Sequence, residues 1–216
     1  MNLNLEKKFW KKGYKCVVGL DEAGRGPLAG PVFAAVVIVE NCKSGIKNLK
    51  EVNDSKKLSP NKREELYKLL TEDKNIKWGI GRVSEKIIDK INILEATKKA
   101  MIRAIKNLEK RNKKIKVDYL IIDGNFILPA EALAKAGINL NLPQKSVIKG
   151  DSKIFSCAAA SIIAKVKRDR VMVKYHKKYP QYGFNKHKGY PTKQHRLSIK
   201  KYGSCKIHRL TFRSDI

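Results

Sequence analysis

Acidic residues are the scarcest charged groups in this chain: 20 Asp and Glu stand against 48 Lys and Arg, a formal net charge of +28 over 216 residues. That balance makes a polyanion the first partner to expect, nucleic acid ahead of an anionic membrane surface. Cysteine is sparse as well. Cys16, Cys42, Cys157 and Cys205 are scattered, with no C-x-x-C pair and no histidine at zinc-ligand spacing, which excludes a disulfide framework and a zinc module and reads as free thiols, mostly in the core, of an intracellular chain. Long apolar runs are missing: the longest, Pro31 to Val39, is about half of the roughly 20 residues a membrane span needs. The basic start MNLNLEKKFWKKGYKC lacks the apolar stretch and small-residue cleavage site of a signal peptide. The expectation is a cytoplasmic protein without a membrane role. Repeats, low-complexity linkers and Pro/Ser-rich spacers are absent too, so residues 1–216 are expected to form one domain, with about 175–216 as a basic C-terminal appendage of helices and turns.

What is present is ample apolar material, 42% of residues, enough for a sizeable core. The positive charge is partly a compositional habit, 38 Lys against 10 Arg, so its placement carries more information than its sum. Residues 151–216 hold 17 Lys and Arg against three Asp and Glu, which marks the C-terminal third as the candidate phosphate-facing side.

Apolar periodicity predicts alternating elements. Cys16–Leu20 and Val32–Val39 read as an antiparallel hairpin with a glycine-rich tip, and Ser59-Pro60 as a helix start. Ile76–Val83 reads as a third strand. Ile87, Ile91, Leu94, Met101, Ile105 and Leu108 fall on one stripe of a long helix, expected to face the core. Val117–Ile122 and Lys145–Ile148 follow as strands, and Asp151-Ser152 as an N-cap for a helix through Met172. The pattern gives an α/β domain with a mixed sheet.

In so basic a chain the few carboxylates are informative. Asp21 and Glu22 stand where the first apolar strand ends, Asp123 ends another, and Asp151 follows a third. Ligands of α/β proteins bind at such strand ends. Taken singly, each has a bland explanation: Asp151 a helix cap, Asp123 an Asp-Gly turn, Asp21-Glu22 a solvated loop. If the strands are neighbours, however, the acids converge and require cations. Oxygen-only ligands favour Mg²⁺ or Mn²⁺ over zinc, and such ions activate water against a phosphodiester. A basic protein with that site would be a nuclease.

The loop Gly24-Arg25-Gly26-Pro27-Leu28-Ala29-Gly30 is neither a dinucleotide fingerprint nor a Walker A sequence. It is either a plain hairpin tip or a place where backbone amides approach a ligand, with Arg25 adding a cation. Ser161 and Lys165 share a helix face amid alanines and read as packing. In the basic tail, Tyr190 between Gly189 and Pro191 is the aromatic best placed to be held outward. His176, His187, His195 and His208 show no ligand spacing and receive no catalytic role.

Together the segments GLDEAGRGPLAGPV, NDSKKLS, LIIDGN, KGDSK with AAASIIAKVKRDR, and QYGFNKHKGYPT, in this order across nearly the whole chain, resemble bacterial ribonuclease HII. The resemblance implies a ribonuclease H-like mixed sheet flanked by helices, with a small C-terminal helical portion. It implies endonucleolytic cleavage of RNA in RNA·DNA hybrids and at single ribonucleotides in duplex DNA, dependent on Mn²⁺ or Mg²⁺. The family's catalytic and metal-binding carboxylates fall on Asp21, Glu22, Asp123 and Asp151, in preference to Asp169 of KRDR. Gly24, Arg25 and Gly26 match the segment that reads the 2′-hydroxyl, Tyr190 the tyrosine that packs on the adjoining deoxyribose, and Lys56 a phosphate contact. The 126–144 segment is longer than in the leanest members, and no N-terminal substrate-binding extension of the ribonuclease HIII kind precedes the first motif. A monomer is expected; no replication partner is readable from the residues. A non-catalytic hybrid- or DNA-binding module, and another nuclease or polynucleotidyl transferase of the same fold, are the competing readings.

Overall fold

The computed structural model describes residues 1–40 and 51–215; Cys42 lies outside them. Five strands form one mixed sheet in the order β3-β2-β1-β4-β5: β1 (Val17–Ala23), β2 (Val32–Val39), β3 (Ile76–Val83), β4 (Tyr119–Asp123) and β5 (Gln144–Val147). β1, β2 and β3 are joined antiparallel, whereas β4 lies parallel to both β1 and β5. The expected α/β mixed sheet is therefore what the chain builds. β2, VFAAVVIV, is buried at every position, as an unbroken β-branched run should be when both faces of the sheet are covered.

One face carries α3 (Glu85–Arg111) and the short α4 (Ala130–Lys135); the other carries α2 (Pro60–Glu72) and α5 (Phe155–Lys178), with α1 (Asn4–Lys11) beside them. Glycines set the closeness of both layers. A Cβ on Gly81 would lie 1.9 Å from the Ala100 carbonyl oxygen and one on Gly79 2.2 Å from that of Ala104, so IKWGIGRV presents a smooth backbone to α3. On the opposite face a Cβ on Gly19 would lie 2.4 Å from Ser156 Oγ. That gap, with Ala158, Ala159 and Ala160 fully buried, lets the start of α5 press onto β1, next to the acids.

Three expectations need correction. The α3 stripe is interrupted at Asn92, whose φ of 63° breaks the helical path while its Oδ1 accepts from the Leu94 and Glu95 amides. Ile87, Ile91 and Leu94 are consequently only half-buried, and Met101, Ile105 and Leu108 beyond the kink carry the core. Asp151 is not the cap of α5: it sits in a 3₁₀ turn, Gly150–Ser152, and the cap position is Ile154. The amide and hydroxyl of Ser156 instead donate to Glu6 Oε1 at 2.9 and 2.8 Å. Asp21 and Glu22, finally, lie inside β1, paired with Ala35 and Ala34, rather than after it.

The C-terminal portion contains α6 (Phe184–His187) and α7 (Lys193–Tyr202) around a small core of Leu28, Met172, Tyr182, Phe184, Ile199 and Ile207. It is fastened to the β1–β2 loop: Gly30 N–H donates to Ile207 O and Arg209 N–H to Leu28 O, both at 2.8 Å. Among the described residues no helix is long and apolar enough to cross a membrane.

Candidate active site

The parallel register that sets Leu20 opposite Ile122 brings Asp21 on β1 beside Asp123 at the end of β4. β5 then turns through Lys149, in the left-handed region at φ 58°, so that the Gly150 amide donates to Asp123 Oδ1 at 2.8 Å and Asp151 comes next to it. Asp21, Asp123 and Asp151 each offer an oxygen within 4.8 Å of the others, the one such acidic, His or Cys group among the described residues. Asp21 and Asp151 are 4% and 5% exposed. Glu22 is not in this trio. As the next residue on the strand it points to the other face, with Oε1 3.5 Å from the Arg25 guanidinium and a buried Oε2 that has no partner.

Crowding and burial both oppose ionisation. Burial first, then Glu22 and Asp123, hold the Asp21 carboxyl well above the usual range, against hydrogen bonds from Ser161 and the Glu22 amide. Burial and Asp151 raise Asp123. Burial also raises Glu22, with Arg25 acting against it. Lys56 supplies an opposing charge: its Nζ lies 3.5 Å from Asp151 Oδ2 on a side chain that is 78% exposed. Burial works to lower its ammonium, but Asp151, Asp21 and Asp54 outweigh it and the group is raised. The segment bearing Lys56 is held by a Ser55–Ser161 hydroxyl pair at 2.9 Å, so Ser161 anchors the site as well as packing α5.

Three crowded carboxylates, of which Asp21 and Asp123 have raised affinity for protons, form a donor set suited to a hard divalent cation, with one loosely held lysine beside them. Asp169, by contrast, is engaged by Lys165 at 2.8 Å and Arg63 at 3.7 Å, away from the trio.

The glycines of the loop occupy different surroundings. Gly24 has φ +100°, and a Cβ there would lie 2.1 Å from Arg168 Nε, so its missing side chain makes room for a buried arginine. Gly26 is the open position: the nearest atom to a Cβ would be Tyr190 Cε1 at 3.8 Å. Tyr190 is 38% exposed, its ring flanked by Lys165 and Arg168. Its carbonyl lies 2.9 Å from His195 Nδ1, and His195 Nε2 lies 3.1 Å from His208 Nε2, while the Cys205 amide donates to His208 Nδ1. Burial pushes His195 down to about 4, so that ring is neutral at physiological pH. Spacing gave these histidines no role; folding makes two of them the support of Tyr190.

Comparison with known proteins shows the family and the fold. The family model described as Ribonuclease HII matches residues 18–214. A ribonuclease HII from Acetivibrio thermocellus is 49% identical over 207 residues, covering 96% of this chain and 73% of the relative. The crystal structure of ribonuclease H2 from Pyrococcus horikoshii OT3 superposes with a TM-score of 0.68 at 31% identity, covering 92% of this chain and 96% of that one. A ribonuclease HII solved in complex with PCNA, from Archaeoglobus fulgidus, gives 0.68 at 27% identity, with 90% and 94% covered.

Proposed function

This chain belongs to the ribonuclease HII family, and from that premise we propose that it is a metal-dependent endoribonuclease which cuts the RNA strand of RNA·DNA hybrids and incises duplex DNA at single embedded ribonucleotides. The observation that carries the reading is the meeting of Asp21 in β1, Asp123 at the end of β4 and Asp151 in the turn after β5, beside a loop and a tyrosine suited to a sugar. Acids placed next to phosphates only repel them, so a purely nucleic-acid-binding module would gain nothing from this trio.

Mn²⁺ or Mg²⁺, a pair of ions in the full reading, would supply Lewis-acid stabilisation of the phosphodiester's transition state and a water acidic enough to attack at neutral pH. Asp21, Asp123 and Asp151 would hold those cations, with Glu22 as a fourth ligand once turned from Arg25. Lys56, exposed at the rim and 3.5 Å from Asp151, would take a substrate phosphate as its partner when Asp151 serves as a ligand. Arg25 and the Gly26 amide meet the 2′-hydroxyl, and the Tyr190 ring packs on the next deoxyribose. Water is the nucleophile and the 2′-hydroxyl is only recognised, so the products carry 5′-phosphate and 3′-hydroxyl ends. The enzyme acts as a cytoplasmic monomer on nucleic acid, in ribonucleotide removal during replication and repair; the clamp complex of the Archaeoglobus relative supports a replication partner.

Asp123→Asn tests this. The variant should lose at least about 100-fold in cleavage of a duplex with one ribonucleotide while binding that duplex as tightly as before. Wild-type cleavage by the variant would remove the carboxylates from the mechanism.

A further inference from the structure

Two arginines are the largest fully buried side chains of the described residues: Arg168 is 0% and Arg209 1% exposed. A buried guanidinium normally sits against a carboxylate. Neither of these has one within ion-pair distance among the described residues; Arg209 is bonded only to main-chain oxygens of the β1–β2 loop, and Arg168 to two of that loop and to Lys188 O. Arg209 donates from Nη2 to Gly24 O at 2.6 Å and to Gly30 O at 2.8 Å, from Nη1 to Arg25 O at 2.8 Å, and from Nε to Gly30 O at 3.0 Å. Arg168 donates to Pro31 O, Ala29 O and Lys188 O at 3.0–3.2 Å. Both guanidinium ions stay protonated at neutral pH despite burial, and the carbonyl dipoles stand in for the missing counter-ions.

The consequence lies in the peptide planes. All peptide bonds here are trans, so each N–H points opposite to the carbonyl of the preceding residue. With the Gly24 and Arg25 carbonyls turned inward onto Arg209, the N–H groups of Arg25 and Gly26 are turned outward. No hydrogen bond to either amide occurs among the described residues. Gly26 is also the loop position with open space, facing Tyr190. A hairpin tip whose carbonyls met only water would be free to rotate these planes; the planar five-donor fork of Arg209 fixes several at once.

We propose that Arg209, from the C-terminal segment, is a positioning residue for substrate recognition: it never touches the nucleic acid, but by binding the Gly24, Arg25 and Gly30 carbonyls it orients the Arg25 and Gly26 amides toward the 2′-oxygen of a ribonucleotide. This rests on the ribonuclease reading and adds to it the residue that sets the loop's discrimination. Arg168, under Gly24 and the Tyr190 ring, completes the clamp from α5.

The test is Arg209→Lys, which keeps the charge but loses the fork, with Arg209→Gln as a second variant should the lysine not fold. The proteins are compared for affinity to a one-ribonucleotide duplex and to an all-DNA duplex of the same sequence, for single-turnover cleavage, and for the Mn²⁺ concentration giving half-maximal rate. A folded variant should bind all-DNA duplex and respond to Mn²⁺ as wild type does, while its preference for the ribonucleotide duplex and its cleavage rate fall about tenfold or more, the scale expected when a recognition group is displaced by an ångström. Unchanged preference in a folded variant overturns the proposal. So does a parallel loss of DNA affinity, Mn²⁺ response and rate, which would mean that Arg209 merely supports the fold. A wild-type protein that itself shows no preference for the ribonucleotide duplex overturns the ribonuclease reading, and the clamp with it.

Discussion

Asp21 shows what position does to a side chain that is solvated and acidic in a peptide. Its ordinary value is 3.8; burial, Glu22 and Asp123 raise it well above that, and Asp123 and Glu22 are raised with it. Groups whose folded-state values exceed their unfolded ones bind protons more tightly in the folded state. Their contribution to stability is full below the ordinary carboxylate range near 4 and is lost as pH rises through the raised values. The metal-free protein should therefore become less stable as pH climbs out of that range. A divalent cation replaces those protons, so its stabilising effect should grow with pH. Thermal melts with and without Mn²⁺ at pH 5 and pH 7.5 would read this as a larger rise in Tm at the higher pH; equal rises would contradict it. That the carboxylates would gather was legible in the sequence because acids are rare and these stand at or beside the ends of apolar runs. That Glu22 turns from the trio toward Arg25 was not, because side-chain direction depends on strand pleat and on the path of the following loop.

At the scale of elements, α5 connects the site to the rest of the molecule. Its start rests on β1 through Gly19 and the alanine run, its middle offers Ser161 to the acids, and its later turns carry Arg168 and the flank of Tyr190. The end that needs a cap receives it from Glu6 of α1, 150 residues away. Removing that acceptor leaves two buried donors on Ser156, so Glu6→Ala should destabilise the fold by about 1–3 kcal/mol. Glu6→Gln, which retains an acceptor oxygen, should recover most of the loss; urea denaturation of both variants measures it, and an unaltered midpoint in Glu6→Ala would show that Glu6 is no cap. The strands, α2 and most of α3 were readable because apolar spacing and the Ser59-Pro60 start are local signals. α1, the Glu6 cap and the kink at Asn92 were not: the N-terminal segment reads as a basic tail, and a side chain that caps a helix far along the chain leaves no mark near that helix. The same holds for the two arginines, which look in the sequence like any other contribution to a positive charge.

For the whole molecule, the +28 divides into several kinds of charge. Arg168 and Arg209 are interior and face carbonyls, Lys165 and Arg63 are tied to Asp169, and Lys56 belongs to the acids. Most of the remaining described lysines are exposed on the surface. Affinity for duplex should thus be largely sequence-independent and fall steeply with ionic strength, on the order of 10³-fold between 50 and 200 mM salt for about six phosphate contacts. Fluorescence anisotropy with an all-DNA duplex would show this, and a flat response would assign the charge to composition alone. The segment from about 175 to 216, expected as a basic appendage, is also part of the glycine loop's framework through its hydrogen bonds to Leu28 and Gly30, a role that composition does not encode. In the proposed mechanism the chemistry stays with the acids. The most direct measurement is cleavage of end-labelled duplexes, all-DNA, all-RNA, RNA·DNA hybrid and single-ribonucleotide, with Mg²⁺, with Mn²⁺ and with a chelator. Incision should occur only in the hybrid and single-ribonucleotide duplexes, only with the ions, and leave 5′-phosphate and 3′-hydroxyl ends. Cutting that persists in chelator, or that yields a 2′,3′-cyclic phosphate, would contradict the account.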